Sequence, residues 1–226
     1  MKPPITKYFY CRAIGLKCRK PSMKTIITRK IGMSNVINQD GAIEPITLLS
    51  AEPNIITQVK TIENDGYNAL QVGTEKSKRV NKPQINHFKA SKTQPKIVRE
   101  FRTDEIGEDA KVGARIIVTG FEVGNKVKVT SLSKGKGWAG TIKRYNFKRG
   151  RKTHGGKSYR RVGSIGSMFP QKIFKGKKMP GRLGHVKVTV HNLTVNLIDN
   201  EHNLIGLKGS VPGPKNSVVI VRSEER

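Results

Sequence analysis

Between Glu122 and Asp199 the chain carries nineteen lysine and arginine residues and not one aspartate or glutamate. No ion pair can form inside such a stretch, so its charges repel one another until a polyanion neutralises them. Residues 133–185 are dominated by Gly, Lys and Arg and keep neither the period of two of a strand nor a helical period. This segment buries too little apolar surface to offset its own ordering entropy, and by itself it is expected to be floppy. Among phosphates it can be ordered, because Lys and Arg neutralise the backbone while glycine permits close approach. Nucleic acid is the partner that such a charge pattern points to first.

The rest of the chain has a different character. Residues 1–39 hold nine basic and no acidic residues, 40–122 hold twelve of each, and 199–226 hold four of each. The whole surplus of +28 therefore lies in the first 39 residues and in 123–198. With 226 residues, 35% of them apolar, there is enough material for one elaborated domain or two small ones. Strand-forming runs recur at 25–28, 43–49, 55–62, 67–72, 96–102, 115–121 and 125–132, rich in β-branched and large apolar side chains. Asp40-Gly41 and Asp65-Gly66 supply turns between them, and 83–91 is the best candidate for a short helix. After the basic segment, Val186, Val188 and Val190 alternate, then Leu193, Val195 and Leu197 alternate in the opposite phase. The slip at His191-Asn192 predicts a bulge or a sharp bend. Further strands at 204–207 and 218–221 complete the set, with Pro212-Gly213-Pro214 as a turn. Closely spaced strands without helical crossovers predict a mainly β fold, an antiparallel barrel or a sandwich, with the basic segment as an excursion from it.

Several functions fall away. No apolar run approaches the roughly 18 residues of a membrane-spanning helix, and the basic run has no apolar face to lay on a bilayer. Cys11 and Cys18 are the only cysteines, so neither a disulfide framework nor a four-thiolate metal site can be built. Gly135-Lys-Gly137-Trp-Ala-Gly140 satisfies a dinucleotide-binding pattern literally. The helix that should follow has no apolar face in the sequence, and the acidic residue expected roughly 20 positions on is missing. The run from Gly150 to Ser158 resembles a phosphate loop, but five residues separate Gly150 from Gly156 and no acid follows to hold magnesium. The five histidines show no metal-ligand spacing with acids or thiols, and no carboxylate is available to orient one as a base. The expectation is a binding protein without catalytic residues, metal, cofactor or small-molecule substrate.

The residues expected to meet phosphate and sugar are Lys134, Lys136, Lys143, Arg144, Lys148, Arg149, Arg151, Lys152, Lys157, Arg160, Arg161, Lys175, Lys177, Lys178 and Arg182. His154, between Thr153 and Gly155, is expected to make a polar contact to phosphate or ribose. Trp138, set among glycines and lysines, either stacks on a base or ribose or packs on the framework. Phe147, Phe169 and Phe174 are expected to pack on the framework or on one another.

At these residues the chain resembles a known family. Ser131-Leu-Ser133-Lys-Gly135-Lys-Gly137-Trp-Ala-Gly140-Thr-Ile-Lys-Arg144 is similar to the signature of the large-subunit ribosomal protein L-three family, bacterial type. Thr153-His154-Gly155, Gly163-Ser164-Ile165-Gly166 and Phe174-Lys-Gly176-Lys-Lys-Met179-Pro-Gly181 follow in the family's order. Lys30-Ile31-Gly32-Met33 and Asn64-Asp65-Gly66-Tyr67 match its opening, and Val211-Pro212-Gly213 its close. Lys128 departs from the usual Asp or Asn, and Ser167 stands where some relatives carry a methylated glutamine. The resemblance implies a closed antiparallel barrel of the translation-protein type. Its framework would span 23–132 and 183–226, with a small α+β insertion near 76–111, and a basic extension would occupy 1–22. A loop at 133–182 would reach through large-subunit rRNA toward the peptidyl-transferase region. The resemblance further implies neighbouring large-subunit proteins as partners, a role in early subunit assembly, and a place in a cytoplasmic or organellar ribosome.

Overall fold

The computed structural model describes residues 24–37, 41–103, 106–107 and 110–224. The extension 1–22, with Cys11 and Cys18, lies outside the described residues, as does Asp40 of the first expected turn. Twelve strands follow one another along the described chain: β1 (Thr25–Ile37), β2 (Ile43–Ser50), β3 (Asn54–Lys60), β4 (Ala69–Lys76), β5 (Pro95–Arg102), β6 (Arg115–Ile116), β7 (Lys126–Leu132), β8 (Trp138–Ala139), β9 (Gly181–Arg182), β10 (Lys187–Asp199), β11 (Leu204–Lys208) and β12 (Val218–Ser223).

Six of them close a barrel in the order β1-β12-β7-β10-β11-β2, every adjacent pair antiparallel. Alternation decides which side chains fill it. Val127 and Val129 of β7, Val219 and Val221 of β12, and Val195 of β10 are fully buried, together with Ile26, Leu49, Ile205 and Leu207. Lys128 and Thr130 alternate with the buried residues of β7. Closure, rather than a two-layer sandwich, follows from the corners. The register slips between Lys30 and Gly32, between Val190 and Leu193, and between Val195 and Leu197, and such bulges bend and coil strands. The phase change at His191-Asn192 is one of them, with Asn192 at φ 58°. Gly206 lies against another, where a Cβ would stand 2.8 Å from that of Leu197.

A second sheet, ordered β5-β4-β3-β6, leaves the barrel after β2 and returns before β7. The strands expected at 55–62 and 67–72 form as β3 and β4, with a helical turn at Ile62–Asp65 between them, and belong to this sheet, which therefore reaches beyond the insertion expected near 76–111. Period-two patterning shows that a strand has two faces but not which sheet either face meets. The sheet packs on the outside of β1 and β12, where Ile27, Val72 and Phe101 form a second core with half-buried Val218 and Ile220. That double burial explains why Thr25 to Thr28 are all buried: Ile26 faces the barrel core and Ile27 the second one. The run expected as a strand at 115–121 is a two-residue strand followed by a 3-10 turn, Val118–Gly120, that drops Val118 and Phe121 into the barrel core. The expected helix forms at Lys82–His87, started by Pro83 and an Asn81/Gln84 capping box, and continues as a 3-10 turn at Lys89–Ser91.

Polar ties join the two layers. The Asn54 side-chain amide donates to the Ile27 carbonyl at 3.3 Å, and Arg29 pairs with Glu75 in two places, Nη2 to Oε2 at 2.9 Å. The guanidinium holds the Glu75 carboxyl below the usual range, against the opposing effect of burial. A depressed carboxylate contributes stability above its unfolded pKa and loses it as pH falls through the folded one. Glu75→Gln is therefore expected to lower the melting temperature at neutral pH and to flatten its decline under acid. Thermal melts across the carboxylate range check both.

Candidate nucleic-acid interface

The basic excursion begins as an extension of the β7–β10 ladder. The Lys187–Leu132 pair is followed by Ser133 N–H to the Val186 carbonyl at 2.9 Å, then Lys136 N–H to Leu183 and Leu183 N–H to Gly137, both at 2.9 Å. The β8–β9 pair, Trp138 opposite Arg182 and Ala139 opposite Gly181, closes the stem. Gly184 is indispensable here: its φ is +75° and a Cβ would lie 2.1 Å from the Lys134 carbonyl oxygen. A branched side chain at that φ is strongly disfavoured. Gly184→Val is expected to splay the stem, raising amide exchange at Lys136 and Leu183 by about tenfold or more while amides of the barrel core keep their protection.

The glycines of the dinucleotide-like pattern thus serve a hairpin stem. A helix does follow them, contrary to the sequence expectation, but it is the five-residue Thr141–Tyr145, capped by Asn146 at φ 58°. It forms without an apolar stripe because it is anchored locally. Thr141 and Ala139 are buried, and Arg144 Nη1 donates to the Met179 carbonyl at 2.9 Å beside Gly181, which has no side chain to exclude it. Arg144 also lies over the Tyr145 ring at 4.9 Å, with Lys178 at 5.8 Å. Half-buried Arg144 is thereby a structural strut as well as a cation.

Farther out, no residue from 148 to 178 is buried. The stretch resembling a phosphate loop folds on Tyr159 instead. Gly150 N–H reaches the Tyr159 carbonyl at 2.9 Å, Arg149 donates to the Tyr159 hydroxyl at 3.0 Å, and Lys152 lies 5.5 Å from the ring centre. The Arg149 hydrogen bond draws the Tyr159 phenol below its ordinary value. His154 and Gly155 make the turn, both with positive φ. Lys134, Lys136, Lys143, Lys148, Arg151, Lys157, Arg160, Arg161, Lys175, Lys177 and Arg182 are all exposed, and among the described residues no carboxylate pairs with any of them. Trp138 is 79% exposed, so it does not pack on the framework. Phe147 packs near Tyr145 as expected, but Phe169 and Phe174 are about two-thirds exposed, at 68% and 66%. The excursion contains no hydrophobic floor on which they could settle.

At the stem's base sits a residue that charge counting passes over. Lys30 is only 8% exposed, and its ammonium donates to the Val211 carbonyl at 2.7 Å and the Gly213 carbonyl at 3.2 Å. Burial, and secondarily the positive charge of Lys134, lower its pKa. It holds the Pro212 turn against the root of the loop, since Gly213 lies so near the Leu132 carbonyl that a Cβ would be 2.9 Å away.

A closed six-stranded barrel that sends out a long, exposed, carboxylate-free cationic loop defines a protein built to present charge from a rigid base. Residues 100–203 match the family model described as Ribosomal protein L3. The large ribosomal subunit protein uL3 of Geobacillus thermodenitrificans is 46% identical over 203 residues, 88% of this chain and 96% of the relative. That of Shouchella clausii is 46% identical over 201 residues, 88% and 97%, and that of Petrotoga mobilis 45% over 204 residues, 88% and 95%. The chain belongs to the ribosomal protein L3 family.

Proposed function

We propose that this chain is a structural, non-catalytic component of the large ribosomal subunit, bound to ribosomal RNA through the loop at 133–182. The loop acts in subunit assembly and supports the peptidyl-transferase region. The observation that carries this reading is the exposed cationic stretch at 148–178, without a buried residue or a carboxylate, on a barrel of this family. Neutralising phosphates there lets RNA helices approach that would otherwise repel, and each contact adds about 0.7–0.9 to the logarithmic salt dependence of binding. Recognition is of backbone and RNA shape, with Trp138 exposed for stacking. Neighbouring large-subunit proteins are its other partners, in the ribosome of the cytoplasm.

Competition binding tests the reading. Large-subunit rRNA is expected to displace random duplex DNA of equal phosphate content, with a steep salt dependence. Equal affinity for the two would overturn it in favour of a general nucleic-acid compaction protein.

A further inference from the structure

The second sheet covers only part of the barrel's outer wall. Among the described residues, β5 is an edge of that sheet and pairs with β4 alone. Between β5 and the outer faces of β12, β7 and β10 lies a groove of about 730 Å³. Five cations border it: Arg99 and Arg102 from β5, Lys128 from β7, Lys187 from β10 and Arg222 from β12, with the Arg102 guanidinium lying over the Tyr67 ring at 4.8 Å. Three of them come from segments whose charges sum to zero along the chain. Among the described residues, the one carboxylate in the lining is Glu100, and it is engaged elsewhere, 2.9 Å from the Lys60 ammonium and accepting a 3.0 Å hydrogen bond from the Tyr67 hydroxyl. Arg222 ties the wall to the floor by donating to the Arg102 carbonyl at 3.0 Å. One end of the groove is formed by Ser133, Gly135 and His185, the root of the basic loop.

We propose that this groove is a second RNA seat, taking the sugar-phosphate backbone of a helical RNA strand that continues from the loop root. The proposal rests on the rRNA-binding reading above and extends it to the folded body. The charge sign selects a polyanion. Continuity with the loop selects RNA over an acidic protein tail, because a strand gripped by Lys134 and Lys136 runs directly into the groove mouth. The cations sit on four strands of the folded body, so the seat is pre-organised where the loop is not.

The test uses the full chain and large-subunit rRNA. One variant carries Arg99→Gln, Arg102→Gln, Lys128→Gln and Lys187→Gln. A second removes equal charge from exposed lysines outside the groove: Lys76→Gln, Lys82→Gln, Lys89→Gln and Lys92→Gln. The groove variant is expected to bind more weakly by about 10- to 100-fold, with a salt slope shallower by about 3. The other variant is expected to stay within about threefold of the natural chain. Equal losses in both variants, or none in the groove variant, would overturn the proposal. So would a loss of polyglutamate binding with rRNA binding intact, which points to an acidic protein instead. If the fourfold groove variant fails to fold, Arg99→Gln with Arg102→Gln on the edge strand must still lower the slope by about 1 to 2. If the natural chain itself shows no preference for large-subunit rRNA, the broader reading fails. If it does show the preference and the groove variant matches it, only the seat is lost.

Discussion

Replacing residues 140–180 by a two-residue Asn-Gly turn is expected to leave a folded barrel that binds large-subunit rRNA about a thousandfold more weakly at about 0.1 M salt. Ala139 and Gly181 are register partners on the β8–β9 ladder, so a tight turn can join them without disturbing the stem. The excision removes thirteen Lys and Arg residues and no acid. If about half of those cations touch phosphate, the salt slope falls by about 4–5. Neither hydrophobic core contains a residue from the excised stretch. Melting should therefore shift by only a few degrees, the cost of losing the Arg144–Met179 strut and the burial of Thr141. Circular-dichroism melts and filter binding across a salt series measure the two halves. Global unfolding would show that the loop belongs to the core, and unchanged affinity would show that it is not the interface.

Ile205→Ala is expected to have the opposite profile, lowering stability by about 3 kcal/mol while a folded fraction binds RNA normally. Ile205 is fully buried in the barrel, paired with Leu49 on one side and Ile198 on the other. Truncation removes the transfer energy of three carbon atoms and leaves a cavity that a closed barrel cannot collapse to fill. For a domain of this size the melting temperature should fall by about 6–12 °C. Ile43→Ala, at a site 67% exposed, should stay within about 0.5 kcal/mol. Set beside the loop excision, these variants test whether binding and folding reside in different parts of the chain.

Much of this division is legible in the chain. Nineteen cations without an acid announce a segment that cannot satisfy itself, and the alternating valines on either side announce the strands that carry it. The bulge at His191-Asn192 is also legible, because a reversal of phase in a period of two requires one extra residue between Val190 and Leu193 if Val195 is to stay inside. Less legible is the short helix at Thr141–Tyr145, which depends on Arg144 reaching Met179 across 35 residues. The exposed aromatics Phe169 and Phe174 were expected to be covered, because composition shows that a ring is apolar but not whether a floor exists beneath it.

By itself, then, the sequence determined which segment carries positive charge that it cannot pair within itself and where most of the strands lie. Both follow from short-range physics: like charges without partners, and side chains alternating across a pleat. Only the tertiary structure decided that the strands divide between a barrel and a covering sheet, with Ile26 and Ile27 facing different cores. It alone places Arg99, Arg102 and Arg222 with Lys128 and Lys187 around one groove. Among the described residues, segments that sum to zero along the chain still contribute cations to one groove, because opposite charges cancel only where they lie close in space. Folding ties Glu100 to Lys60 and leaves Arg99 and Arg222 beside the groove.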